Sequence, residues 1–397
     1  MKIVLAYSGG LDTTCIIPYL KERYDASVTA FCALLGVSED EKVLKQRARD
    51  AGAEDFYFLD LREEFIKNFC FPALRTGAVY ENGYLLATAL ARPLIAREMV
   101  RIACETGANA ISHGCTGKGN DQVRFELAAA ALAPSLKVIA PVREWDLKSR
   151  QAEIEYLNSR GLTIEDKGGG KYSIDRNLWG ISIECGELEN PFNEPPDDSY
   201  ITVSRPEDSQ REPEEITVTF KDGNPVKVNG RKTGPVELVE ELNKIGAKHG
   251  VGRVDMVENR VVGIKSREVY ESPGATILFK ALRALESLVL ERDLLKEKTK
   301  LSAEYARAVY DGKWFSPLRE SIQEFCDTTS SRLSGEVRIK LYKTAARVTG
   351  CRSEFSMYSE KLATYTEEDK FSHGSAEGFI DLWGLPLKVW KEVEGGK

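Results

Sequence analysis

The sequence lacks the residue patterns from which metal, redox and disulfide sites are usually built. Its 397 residues include only three histidines, at positions 113, 249 and 373, and eight cysteines that stand singly, with no C-x-x-C pair. Zinc sites, redox pairs and disulfide frameworks use clustered or paired cysteines, so none of them is expected here. We expect the cysteines to be small buried hydrophobic residues instead.

Groups for proton transfer are equally scarce. No Ser-His-Asp arrangement and no paired acid and base stands out in the sequence. His113 lies at the end of a predicted buried strand, and we interpret it as structural. We therefore expect catalysis mainly by positioning and electrostatics.

Long apolar runs and an excess of positive charge are missing as well. No apolar run is long enough to cross a bilayer, no signal-peptide pattern precedes the first strand, and the net charge is −7. These features disfavour a membrane or nucleic-acid partner, and we expect a cytoplasmic protein. A chain of this length exceeds the size of a single growing core, so two domains are expected.

The most informative segment of the sequence is its first fourteen residues. An apolar run from Ile3 to Tyr7 suits a strand buried on both faces of a parallel sheet, and Ser8-Gly-Gly-Leu-Asp-Thr-Thr14 follows it. The two glycines permit a tight turn, and the polar residues after them can begin a helix. A strand, a glycine turn and a helix N-terminus together predict a phosphate site, the alternative being a simple glycine turn before a capped helix.

The residue sequence of this loop indicates which class of phosphate-binding loop it belongs to. Neither the Walker pattern nor the dinucleotide pattern G-x-G-x-x-G is met here, and the loop at residues 114–119 fails the Walker pattern too. What remains is S-G-G-x-D-[ST], which resembles the signature of the ATP pyrophosphatases. Enzymes of that class split ATP into AMP and pyrophosphate while they adenylate a carbonyl oxygen.

Predicted strands and helices alternate from residue 1 to about residue 160, which indicates a doubly wound, mostly parallel α/β sheet. Two of these strands end in glycine-rich polar loops, at residues 8–14 and 114–124. Because ligands bind at the carboxyl ends of such strands, we expect the two loops to share one cleft.

The composition changes at Lys167-Gly-Gly-Gly-Lys171, which we interpret as a hinge or lid. Residues 172–200 look too irregular for regular structure. Beyond them, the patterns predict an α+β second domain with a hairpin at residues 215–228, a helix at 235–247, strands across 253–264, a helical run at 275–310 and a second hairpin near 336–348. We place the domains at residues 1–165, 166–365 and 366–397.

The last of these regions carries a helix whose apolar face comprises Phe379, Leu382, Trp383, Leu387 and Trp390. Two interpretations stay open on the sequence alone. The helix either packs on its own domain or clasps another subunit.

The loop at residues 112–124 offers paired donors and acceptors that suit a zwitterionic substrate, although a solvated glycine-rich turn would look similar. The run from Ser112 to Leu127 closely resembles the argininosuccinate synthase family. So do Ala6-Tyr-Ser-Gly-Gly-Leu-Asp-Thr-Thr14, Leu90-Ala-Arg-Pro93, Lys248-His-Gly-Val-Gly-Arg-Val-Asp255, Val257-Glu-Asn-Arg260 and the run from Lys265 to Thr276. The resemblance spans both predicted domains and is loose only near residues 200–235 and at the C-terminal end.

The resemblance implies an adenine nucleotide α-hydrolase-like sheet, a second synthetase domain and a C-terminal oligomerisation helix. It also implies an ATP-dependent ligase of arginine biosynthesis that joins L-citrulline and L-aspartate through citrullyl-AMP, releasing AMP and pyrophosphate. ATP would be used as a substrate with Mg²⁺ and without a prosthetic group, in a homotetramer.

The implied site residues fall into three sets. The positions that match the ATP set are Ala6, Tyr7, Ser8, Gly9, Gly10, Leu11, Asp12, Thr13, Thr14, Ala33 and Gly114. Those that match the citrulline set are Tyr84, Thr88, Asn120, Arg124, Ser173, Ser182, Glu258 and Tyr270, and those that match the aspartate set are Thr116, Asn120 and Asp121. Asp12 is our candidate catalytic residue. It would position Mg²⁺ and the pyrophosphate part of ATP.

The sequence departs from the family pattern at four of these or adjacent positions. Thr14 replaces the usual Ser, Cys115 replaces Ala, Ala89 replaces a Ser, and Leu34 stands where Asn is common. None of these changes removes a charge from the predicted site.

Two other functions remain as alternatives. An ATP pyrophosphatase that acts on tRNA would need a basic surface, which the acidic composition disfavours. A nucleotide-sensing module would keep the ATP loop and bind ATP without turnover.

Overall fold

A computed structural model describes residues 1–36, 40–162 and 171–395. The first half is built on a five-stranded parallel sheet in the order β3-β2-β1-β4-β5. Its strands are β1 (Lys2–Ala6), β2 (Ser27–Leu34), β3 (Asp55–Asp60), β4 (Ala110–Ser112) and β5 (Lys137–Ile139). β1 is central, with Val4 paired to Thr29 on one side and to Ile111 on the other. The predicted doubly wound sheet is therefore confirmed.

Helices cover this sheet. They are α1 (Leu11–Tyr24), α2 (Glu41–Asp50), α3 (Arg62–Phe65), α4 (Phe71–Thr76), α5 (Ala87–Thr106), α6 (Asn120–Leu132), α7 (Pro141–Glu144) and α8 (Arg150–Asn158). The sequence predicts one helix over residues 62–75, but a π-helical segment, Ile66–Cys70, separates α3 from α4. The apolar periodicity does not distinguish an α turn from a π turn, so this break is not visible in the sequence.

Two antiparallel sheets follow. One has the order β10-β9-β8-β13-β14 and the other the order β11-β12-β7-β6. Their strands are β6 (Ser173–Arg176), β7 (Ile181–Glu184), β8 (Glu214–Lys221), β9 (Asn224–Val228), β10 (Arg231–Lys232), β11 (Arg253–Asn259), β12 (Lys265–Glu271), β13 (Gly335–Tyr342) and β14 (Ala345–Arg352). The predicted β8–β9 hairpin is confirmed, and its turn residues Asp222 and Gly223 both have positive φ.

The expectation of irregular structure over residues 172–200 is wrong, because β6 and β7 form a hairpin there. Its turn is held by the Asn177 side chain, which accepts hydrogen bonds from the backbone N–H groups of Trp179 (2.9 Å) and Gly180 (3.2 Å). β7 also pairs with β12, more than eighty residues away. Four-residue strands give a weak pattern, and this distant pairing stabilises them.

The helices of this half are α9 (Pro235–Lys248), α10 (Pro273–Val289), α11 (Arg292–Tyr310) and α12 (Pro317–Ser330). The helical run predicted over residues 275–310 is two helices, because the Glu291 carboxylate accepts from the N–H groups of Asp293 and Leu294 and begins α11. The region predicted as strands at residues 253–264 contains only β11. The next strand, β12, begins after that region and ends at Glu271. The helix α12 is not predicted from the sequence.

Met1–Phe355 forms one compact unit, and Ser356–Lys397 forms a second. A continuous core in the first unit joins Leu90 and Leu94 of α5 to Trp179, Leu278 and Leu282 from the later half. The boundary predicted after residue 165 and residues 167–170 of the predicted hinge lie outside the described residues. The two predicted boundaries between the three domains therefore stay predictions.

The second unit contains α13 (Glu360–Ala363) and α14 (His373–Gly395). On α14, Phe379, Trp383, Leu387 and Trp390 recur at helical spacing on one face, and each is more than 60% exposed. Phe379 stacks on Trp383 with ring centroids 5.5 Å apart. Within the described ranges, no helix combines the length and the apolar character that a membrane crossing requires.

Candidate active site

A cleft of about 880 Å³ lies where the carboxyl ends of the parallel strands face the four-stranded sheet. Every predicted site residue lines this cleft except Gly9 and Thr14. The three predicted sets of residues therefore lie together, although they come from parts of the chain up to about 260 residues apart. The two loops expected to share a cleft do share it.

The phosphate loop connects β1 to the start of α1. Gly9 has φ +79°, and a Cβ there would lie 2.3 Å from Leu44 Cδ2, so both the turn and the close approach require glycine. Arg47 of α2 donates to the Gly9 carbonyl at 2.6 Å. Gly10, Leu11, Asp12 and Thr13 at the start of α1 line the cleft, and the first turn of a helix has free N–H groups that can bind an anion.

The hydroxyl groups of the loop have different surroundings. Ser8 Oγ and Thr13 Oγ1 lie 3.1 Å apart at the exposed side of the loop. Thr14 is buried instead, and its Oγ1 donates to the Gly10 carbonyl at 2.8 Å. The structure therefore places Thr14 beneath the loop as a support for the first turn of α1, away from the cleft itself.

Two carboxyl groups lie near the phosphate loop. Asp12 is exposed in the first turn of α1, whereas Glu153 of α8 is buried. Burial, together with the neighbouring Asp12 carboxylate, raises the pKa of Glu153 to about 8. In the part of the chain that the structure describes, no three His, Cys, Asp or Glu side chains are grouped to hold a metal ion.

Replacing Glu153 with Gln is expected to raise the melting temperature by a few degrees more at pH ~8.5 than at pH ~5. The unfolded chain releases the Glu153 proton near pH 4.5 and the folded chain near pH 8, so wild-type stability falls as pH rises through this window. Gln does not titrate. Thermal melts of the apoprotein would test this, with Glu155→Gln on the exposed side of α8 as the control. Equal shifts at both pH values would contradict it.

The second loop runs from β4 to α6. Gln122 fixes its shape by donating to the carbonyls of Gly117 (2.6 Å) and Gly119 (3.2 Å). His113 is fully buried, stacks on Phe125, and accepts from the Cys115 N–H through Nδ1 at 3.3 Å. These contacts support the interpretation of His113 as structural. Thr116 is exposed at the tip of the loop, inside the cleft.

Arg92 of α5 connects this loop to the second half of the chain. Its guanidinium donates to Asp121 at 2.9 Å and to Asp175 of β6 at 2.5 Å. Asp121 also accepts from Arg124 at 3.0 Å. Burial opposes ionisation of Asp121, but the two guanidinium groups outweigh it and hold its pKa below the ordinary value.

The opposite wall is formed by a cluster of tyrosines and hydroxyl groups. Tyr84 and Tyr270 stack with centroids 4.2 Å apart, and Tyr270 donates to the Glu258 carboxylate at 2.6 Å. Thr88 Oγ1 lies 3.0 Å from Ser182 Oγ, joining α5 to β7. Neutral hydroxyls and one buried carboxylate give this wall the chemistry to bind an uncharged amide-like group and an ammonium group.

Several charged or aromatic residues of the cleft are not among the site residues predicted from the sequence. Among them are Arg92, Asp175, Glu184, Arg260, Glu268 and Tyr310. Arg260 donates to Glu184 and, at 2.6 Å, to Glu268. Burial and the neighbouring Glu184 raise the pKa of Glu268 to about 8. Arg92 and Arg260 belong to the quoted motifs, and an arginine inside an apolar helix signals a buried partner.

The parallel sheet with its phosphate loop, facing a wall suited to amino-acid substrates, defines a nucleotide-dependent enzyme of the ligase class. Residues 2–163 match the family model described as "Arginosuccinate synthase N-terminal HUP domain", and residues 172–390 match "Arginosuccinate synthase C-terminal domain". The chain belongs to the argininosuccinate synthase family, whose members are ATP-dependent ligases.

Individual relatives match along nearly the whole chain. It is 52% identical to the argininosuccinate synthase of Chlorobium phaeobacteroides over 393 residues, which cover 99% of this chain and 98% of the relative. The argininosuccinate synthase of Caldanaerobacter subterraneus is 50% identical over 396 residues, covering 100% of this chain and 97% of the relative. The resemblance inferred from the motifs is confirmed.

Proposed function

We propose that this protein joins L-citrulline and L-aspartate to form argininosuccinate, a step of arginine biosynthesis, with ATP converted to AMP and pyrophosphate. One observation carries the proposal. The phosphate loop, the loop at residues 114–121 and the cluster around Tyr84 and Glu258 line a single cleft. Because ATP and both amino acids are free metabolites, we place the reaction in the cytoplasm, without a nucleic-acid or membrane partner.

The chemistry requires two steps because a ureido oxygen is a poor leaving group until it is activated. First, the ureido oxygen of citrulline attacks the α-phosphorus of ATP, the bond to the β-phosphate breaks, and pyrophosphate leaves. The amine of aspartate then attacks the activated carbon, AMP departs with the bonding electrons, and the amine loses a proton. Alignment of three reactants in one cleft supplies much of the rate acceleration.

Each of the three substrates is assigned its own group of residues. We assign the ATP phosphates to the free N–H groups at the start of α1 and to Ser8 and Thr13, with Ala33 on the adenine side. Citrulline is assigned to the wall that contains Tyr84, Thr88 and Glu258, and the aspartate amine to Asp121. Asn120 is assigned to both amino acids.

The phosphate end of the cleft suits a nucleotide-bound magnesium ion. Asp12 is the exposed carboxylate beside the loop, and oxygen ligands are those that Mg²⁺ prefers. Asp12 would hold the ion together with the phosphates of the nucleotide. Mg²⁺ would neutralise charge on the departing pyrophosphate.

The decisive test is sustained pyrophosphate release from purified protein given ATP, citrulline and aspartate, with each amino acid omitted in turn. Release that needs both amino acids, and one argininosuccinate per pyrophosphate, is the expected result. ATP binding without release would favour the nucleotide-sensing module. Stable tRNA association through a salt titration would favour the tRNA-acting alternative.

We also propose a homotetramer in which α14 contacts another copy of the chain, because its aromatic face is exposed. Deleting residues 375–397 is expected to shift the protein to a smaller assembly in light scattering. A double variant, Trp383→Ser with Trp390→Ser, should do the same, whereas Lys388→Ser with Lys391→Ser should not, since those lysines form exposed ion pairs. An unchanged mass per assembly, corrected for the deletion, would contradict the contact.

A further inference from the structure

Tyr310, the last residue of α11, reaches into the cleft from the second half of the chain. It is 1% exposed, and its hydroxyl lies between two residues of the predicted site. Asn120 Nδ2 donates to this hydroxyl at 2.8 Å, and the hydroxyl donates to Glu258 Oε1. One phenol thus connects a residue of α6 with a residue of β11.

Tyr310 also holds Arg124 in two ways. The Arg124 guanidinium carbon lies 5.0 Å from the centroid of the Tyr310 ring, and Arg124 Nε donates to the Tyr310 carbonyl at 3.1 Å. The Tyr310 ring also stacks on Tyr80, with centroids 3.6 Å apart and planes within 6°. These contacts fix the ring, while its hydroxyl bonds Asn120 and Glu258 in the site.

The Tyr310 hydroxyl helps to orient two of these partners, Glu258 and Asn120. Glu258 receives one phenol on each oxygen, from Tyr270 on Oε2 and from Tyr310 on Oε1. Asn120 uses its Oδ1 to accept from the Val261 N–H at 2.9 Å, which leaves its Nδ2 oriented by Tyr310. Loss of the Tyr310 hydroxyl would free one oxygen of Glu258 and the amide nitrogen of Asn120 at once.

We propose that Tyr310 is a positioning residue that holds Glu258, Asn120 and Arg124 in one arrangement, so that the citrulline and aspartate subsites form together. The inference rests on the proposed function, because it takes Glu258 and Arg124 as citrulline residues and Asn120 as shared. None of the Tyr310 contacts described above involves the phosphate loop between β1 and α1.

The test is Tyr310→Phe, which keeps the stacked ring and the contact with the Arg124 guanidinium but removes the hydroxyl. A hydrogen bond to a charged group is lost, so the KM for citrulline should rise about ten- to hundredfold. The KM for aspartate should rise less, by up to about tenfold, because only the neutral bond to Asn120 is lost on that side. The KM for ATP should stay within about twofold.

Tyr305→Phe is the matched control. Tyr305 lies on the same helix, is fully buried, and donates its hydroxyl to Gln323 at 2.8 Å, outside the cleft. Tyr305→Phe also loses a hydrogen bond of a buried phenol, so both variants should lose thermal stability, but only Tyr310→Phe should raise the KM values for the amino acids. Equal KM values in Tyr310→Phe and the wild type would overturn the proposal, as would equal increases for ATP and citrulline.

Two further outcomes are informative. If the wild-type protein shows no turnover with citrulline and aspartate, the proposed function itself is wrong. If the wild-type protein turns over but Tyr310→Phe has unchanged KM values, only the role of Tyr310 is wrong. If Tyr310→Phe does not fold, 3-fluorotyrosine at position 310 keeps the hydroxyl and reports on it by ¹⁹F NMR. The signal should move when citrulline saturates the site, and a signal that citrulline leaves unchanged would overturn the proposal.

Discussion

Replacing Asp12 with Asn is expected to abolish sustained pyrophosphate release while the protein stays folded. Asp12 is exposed in the first turn of α1, so the change removes little packing. Asn has nearly the same shape but carries no negative charge for a nucleotide-bound magnesium ion. Loss of a charge that stabilises the transition state lowers turnover by about a hundred- to thousandfold, and weaker binding of the metal would add to this.

The measurement is turnover at a series of Mg²⁺ concentrations, with circular dichroism to confirm the fold. Asp25→Asn is the matched control, because Asp25 is an exposed aspartate at the other end of α1, and Asn tolerates its left-handed backbone conformation. The control should keep wild-type turnover. Full activity of Asp12→Asn at ordinary Mg²⁺ would show that Asp12 does not organise the metal and pyrophosphate.

The first half of the fold could be predicted because its signals are local. β1, the glycine turn and the start of α1 are adjacent in the sequence, and each has a short-range physical reason. The alternation of strands and helices then determines which edge of the sheet carries both loops. No distant contact has to be known for that inference.

The β6–β7 hairpin could not be predicted in the same way. Its strands are four residues long, and their pairing depends on β12. Without that partner, the turn residues around Asn177 dominate the local pattern. For the same reason, the sequence does not predict that Asp175 belongs to the site. Asp175 lies there because the pairing of β6 brings it into contact with Arg92.

The residues of the cleft were likewise only partly predictable from the sequence. The motifs contain Arg92 and Arg260, but the sequence does not show that each lies between two carboxylates. Tyr310 belongs to no motif that we recognised, and its partner Glu258 lies 52 residues away. Contacts of this range depend on how the two halves of the chain pack, and apolar periodicity carries no information about them.

Replacing Arg92 with Met is expected to raise the KM for aspartate more than a hundredfold and to destabilise the protein. Met keeps much of the volume but leaves Asp175 and one oxygen of Asp121 without their cation. Breaking a buried ion pair costs about 3–5 kcal/mol, and the lower end applies because both carboxylates are partly exposed. Arg97→Met, on the same helix but outside the cleft, is the control and should change the KM little.

A second variant and an isotope experiment identify which step Arg92 serves. Adding Asp175→Asn to Arg92→Met removes one uncompensated carboxylate and should restore part of the lost stability. With citrulline but no aspartate, ATP labelled with ¹⁸O in the α,β-bridge should still scramble its label as adenylation reverses, since Arg92 contacts Asp121 and Asp175 rather than the phosphate loop. If the scrambling of the label is lost as completely as turnover, Arg92 serves adenylation. The assignment of Asp121 and Arg92 to the aspartate subsite would then be wrong.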